Sequence, residues 1–521
     1  MTATAAATAA ARPHRVGLPT VLLLGLLAGT VLRVVVYRSS LGVLDGDEAV
    51  WGLMARHFLD GEFSVFFWGQ GYGGTLEVFP TAALFALLGT STLAIRIVPI
   101  ALTALAAVIV WRVGRRTVGE PAARIAAVLL WVWPPYLVWK SERAHGFYGS
   151  GLVLASLILL LVVRLAERRS RVDAALLGLV LGLGWWQTPQ IVPIAIPACV
   201  WLLWRKPTIW RDVWLVVPAA LVAALPWLVS NLRHDWWSFD VASGQTPYPA
   251  RLRGFVSATF PMALGIRIPW TSEWLFGVPL VGLVYVGLVV LFAVAWWRRR
   301  RSPAAHLLFG TVAAFPFLYA LSPSTWLVDE PRYVVVLLPV LALLVAQACA
   351  TLVRASALVA AAVVLSTLVL WHLSSSPVFV ERADGLFVPR DFAPLVAYLE
   401  THGPRRVFAG YWIAYRTDFE SRERLVAAET DLRAVSIRDG RVIPRAPREA
   451  DDSRHAEYYA EVRADPDAGF VLLREKPRGA RPSSLRTRTE YELEDARTRA
   501  LLERAGYERT AVGDFAIYRR H

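Results

Sequence analysis

Residues 44–77 read Leu44-Asp-Gly-Asp-Glu-Ala-Val-Trp-Gly-Leu-Met-Ala-Arg-His-Phe-Leu-Asp-Gly-Glu-Phe-Ser-Val-Phe-Phe-Trp-Gly-Gln-Gly-Tyr-Gly-Gly-Thr-Leu-Glu77. Three acids, Asp45, Asp47 and Glu48, come directly after the first long apolar run, where a chain would leave a membrane. Carboxylates at a membrane face have few structural uses. Beside a lipid-borne substrate they have a chemical one, the removal of a proton from an acceptor hydroxyl.

The composition around this stretch is that of a multi-pass membrane protein. Of 521 residues, 56% are hydrophobic and 18% charged, and the mean hydropathy is +0.45. The 22 tryptophans and 16 tyrosines fit lipid–water interfaces, where amphipathic rings gather. A net charge of +14 would point to nucleic acid in a soluble protein. Here the basic runs, Arg112 to Arg116, Arg164 to Arg171, Arg205-Lys206 and Arg298 to Arg301, sit between apolar spans, so they signal orientation and lipid contact, with no nucleic-acid partner. Cys199 and Cys349 both fall inside apolar spans, which excludes a disulfide framework outside the membrane. Lys140, Lys206 and Lys476 are the only lysines beside many arginines, a bias that points to a GC-rich bacterial source and hence a bacterial plasma membrane. Arg12, His14 and Arg15 precede the first apolar run in the manner of a signal peptide. The run is long enough to span and is followed by Arg33 and Arg38 rather than a cleavage site, so an uncleaved first helix is expected.

Apolar stretches lie at 17–37, 93–113, 121–138, 148–166, 173–187, 190–204, 213–230, 276–297, 305–321, 333–352 and 355–373. At ~20 residues per crossing they predict about eleven transmembrane helices. With a cytoplasmic N-terminus, every arginine-rich connection is cytoplasmic and the C-terminus lies outside. Residues 78–88 are apolar but too short to cross. Counting them as a span would invert every later loop, so they read as an interfacial or re-entrant helix. The expected division is a membrane domain, 1–373, with outer loops 38–92 and 231–275, followed by an extracytoplasmic α/β domain, 374–521. In the latter, 391–401 and 492–505 read as helices, and 405–412, 469–474 and 515–519 as strands.

Asp45-x-x-Glu48 has capping-box spacing and opens an amphipathic helix with Val50, Leu53, Met54 and Phe58 on one face, ending near Gly61. Capping accounts for one acid, not for three within four residues. An N-terminal helix position keeps a carboxylate ionised, which suits a base. Asp47 is therefore the expected base and Glu48 its supporter. Gln70, Tyr72 and Glu77 are candidate sugar contacts among glycines that let a backbone approach a ligand or simply form a loop. Cations expected at the outer face, where they could hold an anion, are Arg96, Arg143, His145, Arg267 and Arg332. Arg96 could instead snorkel to the headgroups, Glu142-Arg-Ala-His145 could be an interfacial ion pair, and Asp329-Glu-Pro-Arg-Tyr333 a positioned turn. Asp235-Trp-Trp-Ser-Phe-Asp240 reads as an interfacial aromatic belt before a sugar platform. Tyr411, Trp412 and Tyr415 are read as packing the tail onto the membrane part. No His/Cys/Asp cluster has metal-ligand spacing in the sequence.

One span, an outer loop beginning Gly46-Asp-Glu-Ala with an amphipathic helix, and then an interfacial helix together resemble the GT-C glycosyltransferases. Gly89-Thr-Ser-Thr-Leu-Ala-Ile-Arg96, Gly114-Arg-Arg and Gly119 resemble their family-39-like branch, which includes protein O-mannosyltransferases and the aminoarabinose transferases of lipid A. The likeness covers the first ~150 residues well and the later spans by topology. It implies transfer of a sugar from a polyprenyl-phosphate donor to an acceptor hydroxyl outside the cytoplasm, with inversion, and Asp47 as base. It also implies contact of Arg332 and Tyr333 with the donor phosphate, and metal independence, although a divalent ion between Asp47, Glu48 and another carboxylate is the arrangement of other GT-C enzymes. The lipid A branch carries Lys-Pro-Pro before its interfacial helix, where this chain has Gly73-Gly-Thr-Leu-Glu77, so the sugar and the acceptor do not carry over. The expected donor-phosphate residues are thus Arg332, Arg143 and Arg96. The expected substrate contacts are Asp45, Gln70, Tyr72, Glu77, Glu142, His145 and Tyr333. The acceptor is a glycan, lipid or protein. The competing reading is a transporter or flippase of a lipid-linked glycan, which predicts internal repeats and ionisable groups deep in spans. No clear repeat occurs, and the ionisable groups cluster at span ends.

Overall fold

The computed structural model describes residues 17–239, 246–269, 273–322, 325, 330–349, 354–375, 382–383, 388–430, 435–438, 441–444, 454–474 and 493–520. Arg12, His14, Arg15, Asp240 and Asp329 lie outside them. Each of the eleven apolar stretches is helical. Seven form helices long and apolar enough to cross a membrane singly: Leu18–Arg38, Thr92–Thr117, Tyr148–Glu167, Val278–Arg299, Pro303–Leu321, Pro331–Cys349 and Ala355–Ser375. The pair Pro207–Ala223 and Leu225–Arg233, bent by 57°, is apolar enough to make an eighth crossing if it forms one span. The other three stretches are shorter. Pro134 and Pro135 break 121–138 into Glu120–Val132 and Pro135–Lys140, because proline lacks the amide a helix interior needs. Arg171–Gln187 and Val192–Arg205 are separated by a turn at Pro189–Ile191.

Tyr148–Glu167 and Pro331–Cys349 are the most buried spans and form the centre of the bundle. Glycines allow its closest crossings. A Cβ on Gly178 or Gly182 would come within about 2.2 Å of the backbone carbonyls of Val216 and Ala220. Val78–Leu88 is an 11-residue helix, shorter than a crossing needs. The loop 231–275 is more helical than a loop reading implies, with helical turns running from Tyr248 to Leu264.

The C-terminal domain contains a five-stranded sheet in the order Val426–Glu429, Arg406–Ala409, Gly469–Leu473, Phe515–Arg519, Glu508–Val512. Its first three strands are parallel and the last two pairings antiparallel. Fully buried Val471, Leu473 and Ile517 pack beneath helix Ala393–Thr401, and Phe470, Leu472 and Tyr518 line the other face. Tyr411 and Trp412, read as the end of a strand, instead open the helix Tyr411–Ser421. That helix lies against Gly46–Leu59 of the outer loop. A Cβ on Gly52 would come 2.4 Å from the Phe419 ring, so only a bare backbone fits there. Consequently Gly46–Leu59 is buried nearly all round, including Ala49, Trp51 and Ala55, rather than on one face only.

Candidate active site

The three acids at the head of Gly46–Leu59 have different environments. Asp45 is the N-cap, and its Oδ1 accepts the amide of Glu48 at 2.9 Å. Its Oδ2 accepts from Arg143 at 2.5 Å and from His145 Nε2 at 2.7 Å. Glu48 is fully buried, with both oxygens on Arg96 at 2.9 and 2.7 Å, a third approach from Arg143 at 3.1 Å and the amide of Ala144 at 3.1 Å. Arg96 places its remaining donor group on the carbonyl of Gly42 at 2.6 Å. Arg143 and Arg96 hold the Glu48 carboxyl below its ordinary range against the opposing effect of burial. Desolvation, aided by Lys140 and Arg143, lowers the pKa of His145 despite Asp45. Lys140 Nζ contacts Nδ1 of that imidazole. The neutral ring thus accepts at Nδ1 and donates to Asp45 from Nε2.

These bonds fix the geometry of the loop. Arg96 and Arg143, expected at a donor phosphate, lie among Asp45 and Glu48, and Glu48, expected to support Asp47, faces Arg96. Asp45, Glu48 and His145 offer ligand atoms within 4.8 Å of one another. Two arginines already neutralise the carboxylates, an arrangement that opposes a divalent cation there.

Asp47 points elsewhere and is partly exposed. Its Oδ1 accepts the hydroxyl of Tyr411 from the C-terminal domain. Burial, followed by the Asp47 charge, pushes the Tyr411 phenol well above its usual value, so it remains a donor. Arg454, also from that domain, lies 5.3 Å from the Tyr411 ring centre and donates to Gln70 Oε1 at 2.8 Å and to the carbonyl of Trp68 at 3.1 Å. Gly69, at φ +66°, makes room for it, since a Cβ there would lie 2.8 Å from Arg454 Cα.

Glu77 is buried beneath the glycine loop. Its Oε1 accepts the amide and hydroxyl of Ser150 at 2.8 and 2.7 Å. Gln187 donates to the Ser150 hydroxyl at 2.7 Å and accepts the amide of Leu76 at 3.1 Å. A Cβ on Gly74 would come 2.8 Å from Gln187 Cα, so this glycine serves close packing. Burial pushes the Glu77 carboxyl up to about 7. Glu142 is also buried, and desolvation pushes it up to about 8 although Arg33, Arg96 and Arg143 pull the other way.

A second polar group opens the span Pro331–Cys349. Arg332 lies 3.8 Å from Glu330, 5.4 Å from the Tyr333 ring centre and 5.9 Å from that of Tyr148. Tyr136 donates to Glu330 at 3.2 Å. Lys140 approaches the same Tyr148 ring at 5.0 Å. Tyr72, 37% exposed, stands edge-on to Phe147. Trp237 packs edge-on to Phe66, and Trp236 lies against Trp227, as an aromatic belt would. Arg267 donates to the carbonyl of Ser257, away from both groups.

The sequence reading missed Lys140, Tyr148 and Arg454, and it gave Tyr411 a packing role only. Lys140 had a signal, being one of three lysines in the chain. Arg454 had none, because it follows a polar stretch far from the outer loop in sequence.

Comparison with known proteins bears on the fold and the sequence. Residues 78–230 match the family model for dolichyl-phosphate-mannose-protein mannosyltransferase. The undecaprenyl phosphate-alpha-4-amino-4-deoxy-L-arabinose arabinosyl transferase of Pseudomonas aeruginosa is 27% identical over 285 residues, 50% of this chain and 47% of that protein. The match thus spans about half the length of these curated relatives. The fold is shared with ArnT from Cupriavidus metallidurans, at 14% identity over 96% of this chain and 97% of that one. The TM-scores are 0.63 for the apo state and 0.58 for the form bound to undecaprenyl phosphate. The apo oligosaccharyltransferase of Archaeoglobus fulgidus gives a TM-score of 0.50 at 12% identity, over 88% of this chain and 70% of that one. The chain has the fold of a multi-pass, GT-C-like membrane protein, and the curated relatives it resembles in sequence are aminoarabinose transferases.

Proposed function

We propose that this protein transfers a sugar from a polyprenyl-phosphate donor to an acceptor hydroxyl at the outer face of a bacterial plasma membrane, with inversion and with Asp47 as general base. The relatives named above, the undecaprenyl phosphate-linked arabinosyl transferase and the ArnT bound to undecaprenyl phosphate, support the donor class. The observation that carries the assignment of the base is the division of labour among the three acids. Asp45 and Glu48 are enclosed by Arg96, Arg143 and His145. Asp47 is partly exposed and takes a neutral donor, Tyr411, which leaves the carboxylate capacity to accept a proton.

In this reading the acceptor hydroxyl attacks the anomeric carbon as its proton passes to Asp47. The carbon–oxygen bond to the donor phosphate breaks, and the polyprenyl phosphate departs with that electron pair. Arg332 and Lys140, both near the Tyr148 ring, stabilise the charge that develops. The assigned roles need no metal at Asp45 and Glu48. An apolar cavity of about 290 Å³, lined by residues including Leu129, Trp133, Phe260, Leu288 and Leu341, accommodates part of the isoprenoid tail. The arginine-rich connections support a cytoplasmic N-terminus and a C-terminal domain on the outside. Tyr72, Gln70 and Tyr411 then face the acceptor.

The test uses protein in lipid nanodiscs with a panel of radiolabelled polyprenyl-phosphate sugars, wild type against Asp47→Asn. Turnover of one donor that disappears in the variant establishes the activity and names the sugar. Turnover that survives the substitution removes Asp47 as base. Neither binding nor turnover across the panel counts against the donor class.

A further inference from the structure

We propose that His57, Glu62 and His455 form a site for one divalent cation of the zinc class, which clips the C-terminal domain to the outer loop. This inference does not depend on the glycosyl-transfer reading. His57 lies in the last turn of Gly46–Leu59, Glu62 just beyond it, and His455 in the C-terminal domain before helix Ala456–Ala464. One ligand atom from each lies within 4.8 Å of the other two. Tetrahedral zinc with bonds of ~2.0–2.2 Å holds its ligand atoms ~3.4 Å apart, so a small closure completes the geometry. Glu62 allows it, because its side chain is 60% exposed and already 2.6 Å from His57 Nδ1.

The surroundings are those of a metal-binding histidine. His57 Nε2 lies 2.7 Å from Glu423 Oε1 and 3.2 Å from the Tyr458 hydroxyl. A carboxylate accepting from Nε2–H fixes the tautomer that presents a bare Nδ1 to a cation, the outer-shell arrangement common to zinc-bound imidazoles. Glu423 is itself held by Arg56 and Tyr458. Trp68 walls the group, 4.9 Å from the His57 ring and 4.3 Å from that of His455. Two imidazoles and one carboxylate, with a fourth position open to water, suit zinc rather than magnesium or calcium. The clip has a consequence for the site described above. His455 directly follows Arg454, so a cation here fixes the backbone that carries Arg454 to Gln70 and the Tyr411 ring.

The experiment is calorimetric titration of chelator-stripped, full-length protein in detergent with Zn²⁺, with the visible spectrum of added Co²⁺ as a second readout. One saturable equivalent with a tetrahedral Co²⁺ band is expected. It should weaken by ~100-fold or more in His455→Ala, since losing an outer-shell partner alone costs 10–100-fold. Glu62→Gln, at an exposed position that leaves the fold intact, should also weaken it and blunt the Co²⁺ band. Zn²⁺ uptake that is equal in wild type and both variants, or the lack of any saturable uptake, would overturn the proposal and leave His57 as an ion-pair partner of Glu62 and Glu423.

Discussion

The hydroxyl of Tyr411, at the head of a helix in the C-terminal domain, donates to Oδ1 of Asp47, in the first turn of the outer-loop helix. The soluble domain thus completes the site instead of merely resting on the membrane part. Removing this one donor with Tyr411→Phe should lower kcat by about tenfold, the equivalent of ~1.4 kcal/mol for a single hydrogen bond. Asp47→Asn should cost the full general-base contribution, ~10²–10⁴-fold. Steady-state rates with a saturating donor make the comparison. A Tyr411→Phe enzyme as inactive as Asp47→Asn would give the phenol a larger role than positioning.

Glu48 should govern stability, not turnover. Its side chain and that of Arg96 are both fully buried, and removing one partner leaves the other charge unpaired. Glu48→Gln should therefore destabilise the protein by ~3–5 kcal/mol. Replacing the pair together, with Glu48→Leu and Arg96→Met, should recover much of that loss. Thermal unfolding in detergent reads both. A Glu48→Gln protein that melts like wild type but has lost turnover would return Glu48 to the reaction.

What the sequence made legible follows the range of each signal. Hydropathy periodicity located the helical spans and the short Val78–Leu88 helix, because lipid forces backbone bonding within each segment. Asp45, Asp47 and Glu48 stood out because they are adjacent at the end of a span. Their separate roles were not legible, since Arg96 and Arg143 reach Glu48 and Asp45 only through tertiary packing. The same limit hid Arg454, the bond from Tyr411 to Asp47 and the proximity of His57 to His455. Each belongs to a contact between chain segments hundreds of residues apart, which local pattern does not encode. Tyr411 and Trp412 were read as strand because aromatic residues favour strands, and the helix onset after Gly410 overrode that preference.

Glu77 gives the protein a definite response to pH. Its carboxyl titrates near 7 in the folded protein, against an ordinary value of 4.5, because burial disfavours the charged form. Between those values the folded state holds a proton that the unfolded chain has released, so stability falls as pH rises through this window. Melting temperature should drop between pH ~5 and pH ~8, with the Glu77 share worth at most ~3 kcal/mol. Glu77→Gln, which keeps the contact with Ser150, should flatten that share of the slope. An unchanged slope in the variant would assign the dependence to another group, Glu142 first.

Arg332 and Lys140 make the last prediction, because they approach one ring, Tyr148, at 5.9 and 5.0 Å. If both face a single phosphate, each charge-assisted contact is worth ~1.5–3 kcal/mol, or about 10–100-fold in donor affinity. Arg332→Gln and Lys140→Gln should each weaken donor binding by that amount, with little change in the affinity for a sugar acceptor. Because both cations act on the same anion, the double variant should lose less than the sum of the two, the mark of contacts sharing one partner. Arg332→Lys should recover only part of the loss, since an ammonium cannot reproduce the planar fork of a guanidinium. Donor Kd values for the four proteins decide it. Strict additivity would place the two side chains on different groups of the donor, and an unaltered Kd in Lys140→Gln would confine Lys140 to holding His145 against Asp45.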